Sequence, residues 1–142
     1  MTGTPGINDY PLRSIDKIRY ADTDRQGHVN NAVFATLLET GRVELLYDPT
    51  LPLIEQGSAF VIAHLALDFQ AEIRWPGEVQ IGTRVATIGR SSVTLQQALF
   101  QREHCVATAE TVIVLMDEAT RKSKPLTTKA IDRLSALLRK KP

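Results

Sequence analysis

The chain lacks most features that mark secreted, membrane-spanning or metal-binding proteins. Its single cysteine, Cys105, excludes an internal disulfide framework and is typical of a reducing compartment. No apolar run approaches the roughly 18 to 20 residues that a membrane-spanning helix needs. The first six residues lack the basic and apolar regions of a secretory signal. We therefore expect a cytoplasmic protein.

An excess of charge of one sign is also missing. The 17 basic and 16 acidic residues leave a net charge of +1, which favours neither nucleic acid nor an anionic membrane surface as a partner. At 142 residues, 43% of them hydrophobic, the chain is typical of one globular domain over residues 1–142. The Gly- and Pro-containing residues 1–10 are predicted to be a loose tail.

Common catalytic and metal-binding motifs are absent as well. The three histidines do not form a His-x-x-x-His pair and no Cys-x-x-Cys occurs, so we expect no metal site and interpret His64 and His104 as structural. The sequence has no Gly-x-Ser-x-Gly elbow, no P-loop and no Gly-x-Gly-x-x-Gly fingerprint. This argues against serine hydrolases, nucleoside triphosphatases and dehydrogenases.

Apolar periodicity predicts one strand, a long helix, four further strands and a final short helix. Strands separated by short turns favour an antiparallel α+β sheet, with the long helix on one face. Gly41 within the long helix indicates a close contact with a neighbouring element. The predicted strands cover residues 12–20, 61–70, 79–87, 93–102 and 105–116, and the predicted helices cover residues 31–47 and 128–139.

Polar residues are concentrated in residues 20–31 (Tyr-Ala-Asp-Thr-Asp-Arg-Gln-Gly-His-Val-Asn-Asn), between the first strand and the long helix. A carboxylate beside a helix N-terminus can act as base or nucleophile while helix amides bind a developing oxyanion. Asp24 is the leading candidate, and the alternative is a turn aspartate that accepts bonds from loop amides. His28 could assist at a substrate carbonyl or bond only to the loop backbone. Asn30 and Asn31 are candidates for the site or simple helix caps.

Residues 89–92 (Gly-Arg-Ser-Ser) form a second polar group. They are typical of a hairpin turn, and Arg90, Ser91 and Ser92 also offer a guanidinium, hydroxyls and amides to a phosphate. The choice between these interpretations depends on whether the ligand is phosphorylated.

Residues 20–31, followed by Phe34 and by Glu39-x-x-Arg42, resemble the signature of hotdog-fold acyl-CoA thioesterases of the 4-hydroxybenzoyl-CoA thioesterase-like superfamily. The resemblance spans about residues 12–139 and implies a five-stranded antiparallel sheet wrapped around one long helix. It also implies hydrolysis of an acyl-CoA thioester, in which coenzyme A is part of the substrate and no separate cofactor is used. Phe34 departs from the tyrosine more frequent in the family, which removes a hydroxyl.

The resemblance assigns roles residue by residue. Asp24 matches the catalytic carboxylate, and the backbone N–H of Asn31 matches the amide that polarises the thioester carbonyl. His28 and Asn30 match polar side chains that assist. The cofactor-binding set, which would lie near the coenzyme A phosphates, is Arg90, Ser91 and Ser92.

The family usually forms a dimer or a dimer of dimers, and we expect a homo-oligomer here. One helix covers only part of a sheet of long apolar strands, which leaves an edge and a face to protect. Two other functions stay open at this point, a hotdog-fold hydratase or dehydratase and a non-catalytic acyl-CoA-binding protein. The residues do not identify the acyl group.

Overall fold

A five-stranded antiparallel sheet and two helices make up the computed structural model, which describes residues 5–139. The strands lie in the order β1-β3-β4-β5-β2, so that β1 and β2 are the two edges. The predicted α+β sheet with one long helix is confirmed. The elements are β1 (Leu12–Lys17), α1 (Asn31–Leu46), β2 (Ser58–Phe69), β3 (Glu78–Ile88), β4 (Ser92–Gln101), β5 (His104–Asp117) and α2 (Thr128–Ser135).

Helix α1 lies on one face of the sheet and packs against β1, β3 and β4. Asn30 caps its start, since the side-chain Oδ1 accepts a hydrogen bond from the Ala32 amide at 2.9 Å. The buried face follows helical spacing and includes Phe34, Leu38 and Leu45. Because these are its main contacts, α1 covers the inner face of the edge strand β2 only in part, and Leu65 and Phe69 on that face are 38% and 52% exposed.

Gly41 is the point of closest approach between α1 and the sheet. A Cβ at this position would lie 2.8 Å from Ile81 Cγ2 and 2.9 Å from both Gln97 Nε2 and Thr83 Oγ1. Such distances are shorter than van der Waals contact, so only glycine fits without a shift of the neighbouring side chains. The close contact predicted from the sequence is confirmed.

The buried core has a separate cluster at each end of the sheet. The cluster around the start of β3 includes Phe34, Ile73 and Val79, whereas the cluster around the end of β3 includes Val85 and Leu134. The first cluster supports the polar loop between β1 and α1. The second supports the turn between β3 and β4.

The prediction of a loose tail is wrong for the part of it that the structure describes. Residues 1–4 lie outside the described residues, but Ile7–Asp9 form a 3-10 turn and Tyr10 is 2% exposed. The Tyr10 ring lies over Gly82, where a Cβ would approach it to 2.6 Å, and contacts Phe100 edge-on at 6.1 Å between ring centroids. The Tyr10 ring therefore packs against the outer face of the sheet.

Two predicted elements are too long. The first strand ends at Lys17 rather than at residue 20, because the chain turns into a 3-10 helix at Tyr20–Asp22. Helix α2 ends at Ser135 rather than at residue 139, because the chain beyond it pairs with Val85 on β3. No helix within residues 5–139 combines the length and apolar character needed to cross a membrane.

Candidate active site

The loop between β1 and α1 is anchored by Asp22. This carboxylate is 6% exposed, and it accepts hydrogen bonds from the Arg19 amide at 2.8 Å and from Arg19 Nη2 at 2.9 Å. The side-chain bond from Arg19 is the main reason why the pKa of Asp22 lies below its usual value. The Asp22 carbonyl also accepts the Asn30 amide at 2.8 Å. Asp22 thus joins the two ends of the loop.

Asp24 lies in a tight turn that exposes its carboxylate. Its Oδ1 accepts the Gln26 amide at 2.8 Å and the His28 amide at 3.2 Å. The turn requires Gly27, whose φ of +80° is in the left-handed region. Oδ2 has no hydrogen-bond partner within residues 5–139. Asp24 therefore satisfies loop amides with one oxygen, as the structural interpretation predicts, and keeps the other oxygen available.

The start of α1 leaves one backbone amide without a protein acceptor. The amides of Ala32 and Val33 both donate to Asn30, at 2.9 Å each. The Asn31 amide has no acceptor among residues 5–139, as is common in the first turn of a helix. Because the helix dipole is positive at this end, the Asn31 amide can bind a developing negative charge.

His28 contacts a glutamate that follows β2. Its Nε2 lies 3.1 Å from Glu72 Oε2, and Arg74 Nη2 donates to the same oxygen at 3.3 Å. The backbone brings these residues together, since His28 forms an antiparallel bridge with Arg74 and the Val29 amide donates to the Ile73 carbonyl at 2.8 Å. His28 is thus held by its backbone and also has a charged side-chain neighbour.

A cavity of about 410 Å³ brings most of these groups together. Asp24, His28 and Asn31, the first residue of α1, line it. Phe34 and Phe69 supply an apolar wall, with ring centroids 5.0 Å apart at an interplanar angle of 67°. The remaining lining residues are Gln26, Val29, Gln70, Ala71 and Glu72.

Three of the four predicted catalytic residues line the cavity, namely Asp24, His28 and Asn31. Asn30 does not line it, and its side-chain oxygen is engaged in the helix cap. His64 and His104 also lie outside the lining. Glu72 and Phe69 were missed, because only the pairing of residues 28 and 74 in the folded chain reveals that they belong to the site.

The turn of Arg90, Ser91 and Ser92 lies at the opposite end of the sheet in the same chain. Lys17 pairs with Glu78, so the Asp24 loop lies at the start of β3, whereas the turn follows its last residue. β3 has 11 residues and spans roughly 33 Å when extended. A single chain therefore does not bring the predicted coenzyme A site next to Asp24.

Glu39 and Arg42 lie three residues apart on α1 but form no ion pair among the described residues 5–139. Arg42 is buried instead, and its Nη1 donates to Gln97 Oε1 at 3.2 Å. Burial lowers the pKa of Arg42 from its usual value. Within residues 5–139, no group of three or more His, Cys, Asp or Glu side chains is arranged to hold a metal ion.

Comparison with known protein families identifies the family to which the chain belongs. The sequence model of the thioesterase-like superfamily matches residues 18–134, which is most of the chain. The chain belongs to this superfamily. The family inferred from the motif at residues 20–31 is therefore confirmed, and the matched region contains the cavity, helix α1 and the four strands β2 to β5.

Individual relatives of this thioesterase-like chain agree. It is 25% identical over 114 residues to the acyl-CoA thioester hydrolase YbgC of Escherichia coli O6:H1, across 78% of this chain and 85% of that protein. A Thermus thermophilus thioesterase complexed with coenzyme A and Zn is 29% identical, with a TM-score of 0.80 over 94% of this chain and 98% of the other.

The PA5185 protein of Pseudomonas aeruginosa shares the fold, with a TM-score of 0.87 at 24% identity over 97% of this chain and 99% of that one. These similarities identify the α+β sheet as a hotdog fold.

Proposed function

We propose that the chain hydrolyses an acyl-CoA thioester to a free acid and coenzyme A. The observation that carries this proposal is one cavity lined by Asp24, by Asn31 at the start of α1 and by an aromatic wall. Membership of the superfamily and the similarity to an acyl-CoA thioester hydrolase support it. The phenylalanine wall suits an aliphatic or aromatic acyl group.

Asp24 acts as the base or the nucleophile in this proposal. As a base, it removes a proton from a water molecule that attacks the thioester carbonyl, and the C–S bond then breaks so that coenzyme A leaves as the thiolate and the acid is released. As a nucleophile, its free oxygen attacks the carbonyl, the thiolate leaves, and water then hydrolyses the resulting anhydride. In both routes the Asn31 amide stabilises the oxyanion, and His28 assists at the carbonyl. The bonds from Gln26 and His28 amides hold the carboxylate in one orientation.

The proposal includes a homodimer formed through the edge strand β2. Leu65 and Phe69 lie in register with the fully buried Thr111 and Ala107, so they share the core face of the sheet, yet they are 38% and 52% exposed. Natural proteins protect such long apolar edges, and a second copy would cover both the edge and this face. Further association of dimers into a tetramer is left open.

In the proposed dimer, the predicted coenzyme A site of one copy serves the active site of the other. Because the turn of Arg90, Ser91 and Ser92 lies far from Asp24 of its own chain, it would serve the Asp24 site of another copy. The guanidinium of Arg90 suits a phosphate at the surface. The single, half-buried Cys105 supports a reducing, cytoplasmic compartment as part of the same proposal.

The test is a thiol-release assay with short, long and aromatic acyl-CoAs, run with the wild-type protein and Asp24→Ala. We expect release with at least one acyl class and loss of most of it in the variant. Circular dichroism checks that the variant is folded. Absence of release across all acyl classes would refute hydrolysis, and binding without release would favour the non-catalytic acyl-CoA-binding protein.

A further inference from the structure

Glu72 contacts His28, one of the proposed catalytic residues, but has no step of its own in the proposed reaction. Its Oε2 lies 3.1 Å from His28 Nε2, and it lines the same cavity as His28 and Asp24. The side chain is 53% exposed, whereas that of His28 is 20% exposed. An exposed glutamate directed at a less exposed histidine in a cavity contributes little to folding, since exposed pairs stabilise proteins weakly. Its effect is expected on His28 itself.

The segment that carries Glu72 is fixed on both sides. The Gln70 and Ala71 amides donate to the Val106 carbonyl, at 2.8 Å and 3.1 Å. After Glu72, the Gln101 side chain accepts the Arg74 amide at 3.0 Å and donates to the Arg74 carbonyl at 2.8 Å. Glu72 therefore approaches His28 from a backbone that is already held in place. Such support is what keeps a reacting group in one geometry.

The charged groups near the His28 ring come from the segment after β2, which carries Glu72 and Arg74, and from the loop before α1, which carries Asp24. Glu72 provides the contacting carboxylate, and Arg74 balances it by donating to the same oxygen at 3.3 Å. The Asp24 carboxylate belongs to the ring's own loop. Within residues 5–139, Glu72 is the side chain that approaches His28 Nε2 to ion-pair distance. Without it, the ring would rotate more freely about its side-chain bonds.

We infer that Glu72 is a positioning residue that holds the His28 imidazole in one orientation on the cavity wall. This inference rests on the proposed hydrolysis, in which His28 acts at the thioester carbonyl. Glu72 acts through His28 and does not itself touch the reacting atoms. Arg74 assists by keeping the Glu72 carboxylate near the ring.

A double-mutant cycle tests this role. We expect Glu72→Ala to lower kcat about tenfold with little change in KM, because a misplaced group affects the transition state more than substrate binding. The same change in a His28→Ala background should cause no further loss. Glu72→Gln keeps an oxygen acceptor and should retain more activity than Glu72→Ala. Glu118→Ala is the matched control, since Glu118 is exposed and follows β5 at the opposite end of the sheet.

Nuclear magnetic resonance gives a readout that does not depend on turnover. The chain has three histidines, so the imidazole signals are readily assigned. We expect the His28 signals to shift in Glu72→Ala and to stay in place in Glu118→Ala. Wild-type kcat in Glu72→Ala, or an equal loss in the His28→Ala background, would overturn the inference. An inactive wild-type protein would instead refute the proposed function, and unchanged His28 signals would separately refute the contact.

Discussion

The two ends of the sheet both carry polar turns, but different contacts hold them. At the start of β3, Asp22 and Asp24 use their carboxylates to bind backbone amides, and the loop encloses part of a cavity. At the end of β3, the turn is held by its backbone, since the Arg90 and Ser91 carbonyls accept the amides of Leu126 and Leu115 at 2.9 Å and 2.8 Å.

The side chains at the second turn remain nearly free. Arg90 Nη1 donates only to Ser91 Oγ, at 3.4 Å. None of the three side chains lines the cavity that contains Asp24. Fixed carboxylates and a helix amide around a cavity are suited to chemistry, where geometry must be held closely. Free side chains on a rigid turn are suited to binding an exposed charge. The comparison therefore predicts effects on turnover at one end and on substrate affinity at the other.

The largest expected effect is that of Asp24→Asn. An amide is neither a base nor a nucleophile, so kcat should fall by about 100-fold or more while the fold is kept, since Asn can still accept the Gln26 amide. Steady-state thiol release measures the loss, and the thermal unfolding midpoint checks the fold. A folded variant with near wild-type kcat would show that the loop end is not the catalytic end.

Leu65→Glu tests whether the edge strand β2 forms the interface with a second copy of the chain. A charge on the core face of the β2 edge should prevent dimerisation, because it would be desolvated in the interface. Light scattering should then give 15.7 kDa for the variant and two or four times this mass for the wild type. Lys129→Glu, which changes an exposed residue on α2, is the control. A wild-type protein that is already a stable monomer at micromolar concentration would contradict an interfacial site.

Gly41→Ala changes the contact between α1 and the middle of the sheet, so it should lower the stability of the whole fold rather than act on one end. The added Cβ would approach Ile81, Thr83 and Gln97 to less than 3.0 Å, and overpacking of this kind costs about 2 kcal/mol of unfolding free energy. Denaturant unfolding measures the loss. Gly6→Ala is the control, since a Cβ at Gly6 meets nothing within 4 Å. Equal stabilities of the two variants would show that α1 moves easily away from the sheet.

These elements show how much the sequence can predict. Helix α1 and its cap at Asn30 follow from local spacing and are predicted correctly, and the loop of Asp24 lies before the helix as predicted, whereas the role of Asp24 stays a prediction. Glu72 cannot be found in this way, because it meets His28 only after β2 and the loop have folded together. Likewise the motif at Arg90 carries no information about which end of the sheet it occupies, and the end of α2 depends on pairing with Val85.

Asp22→Asn separates the support of the loop from its chemistry. Because the Arg19 side chain is 73% exposed, weakening its bonds to residue 22 should cost at most about 1 kcal/mol of unfolding free energy, with a much smaller effect on kcat than Asp24→Asn. Because the pKa of Asp22 is lowered in the folded state, its contribution is complete above its usual value near 3.8 and is lost as the pH falls through the folded-state pKa.

The stability difference between wild type and Asp22→Asn should therefore be present at neutral pH and shrink in strong acid. Chemical denaturation at several pH values measures it. A difference that is constant over this range would exclude the Arg19 pair as its cause. A larger loss of turnover than in Asp24→Asn would mean that the catalytic carboxylate is Asp22.

The smallest expected effect is that of Arg90→Ala at the other end of the sheet. If Arg90 binds a coenzyme A phosphate far from the thioester, it contributes equally to the ground and transition states, so KM should rise several-fold while kcat is unchanged. Added salt should reduce the difference, because an exposed charge pair is screened within about 10 Å at 0.1 M salt. Lys122→Ala, which removes another exposed positive charge, is the control. A lower kcat at unchanged KM would place Arg90 near the chemistry, and identical kinetics at low and high salt would leave residues 89–92 as a hairpin turn alone.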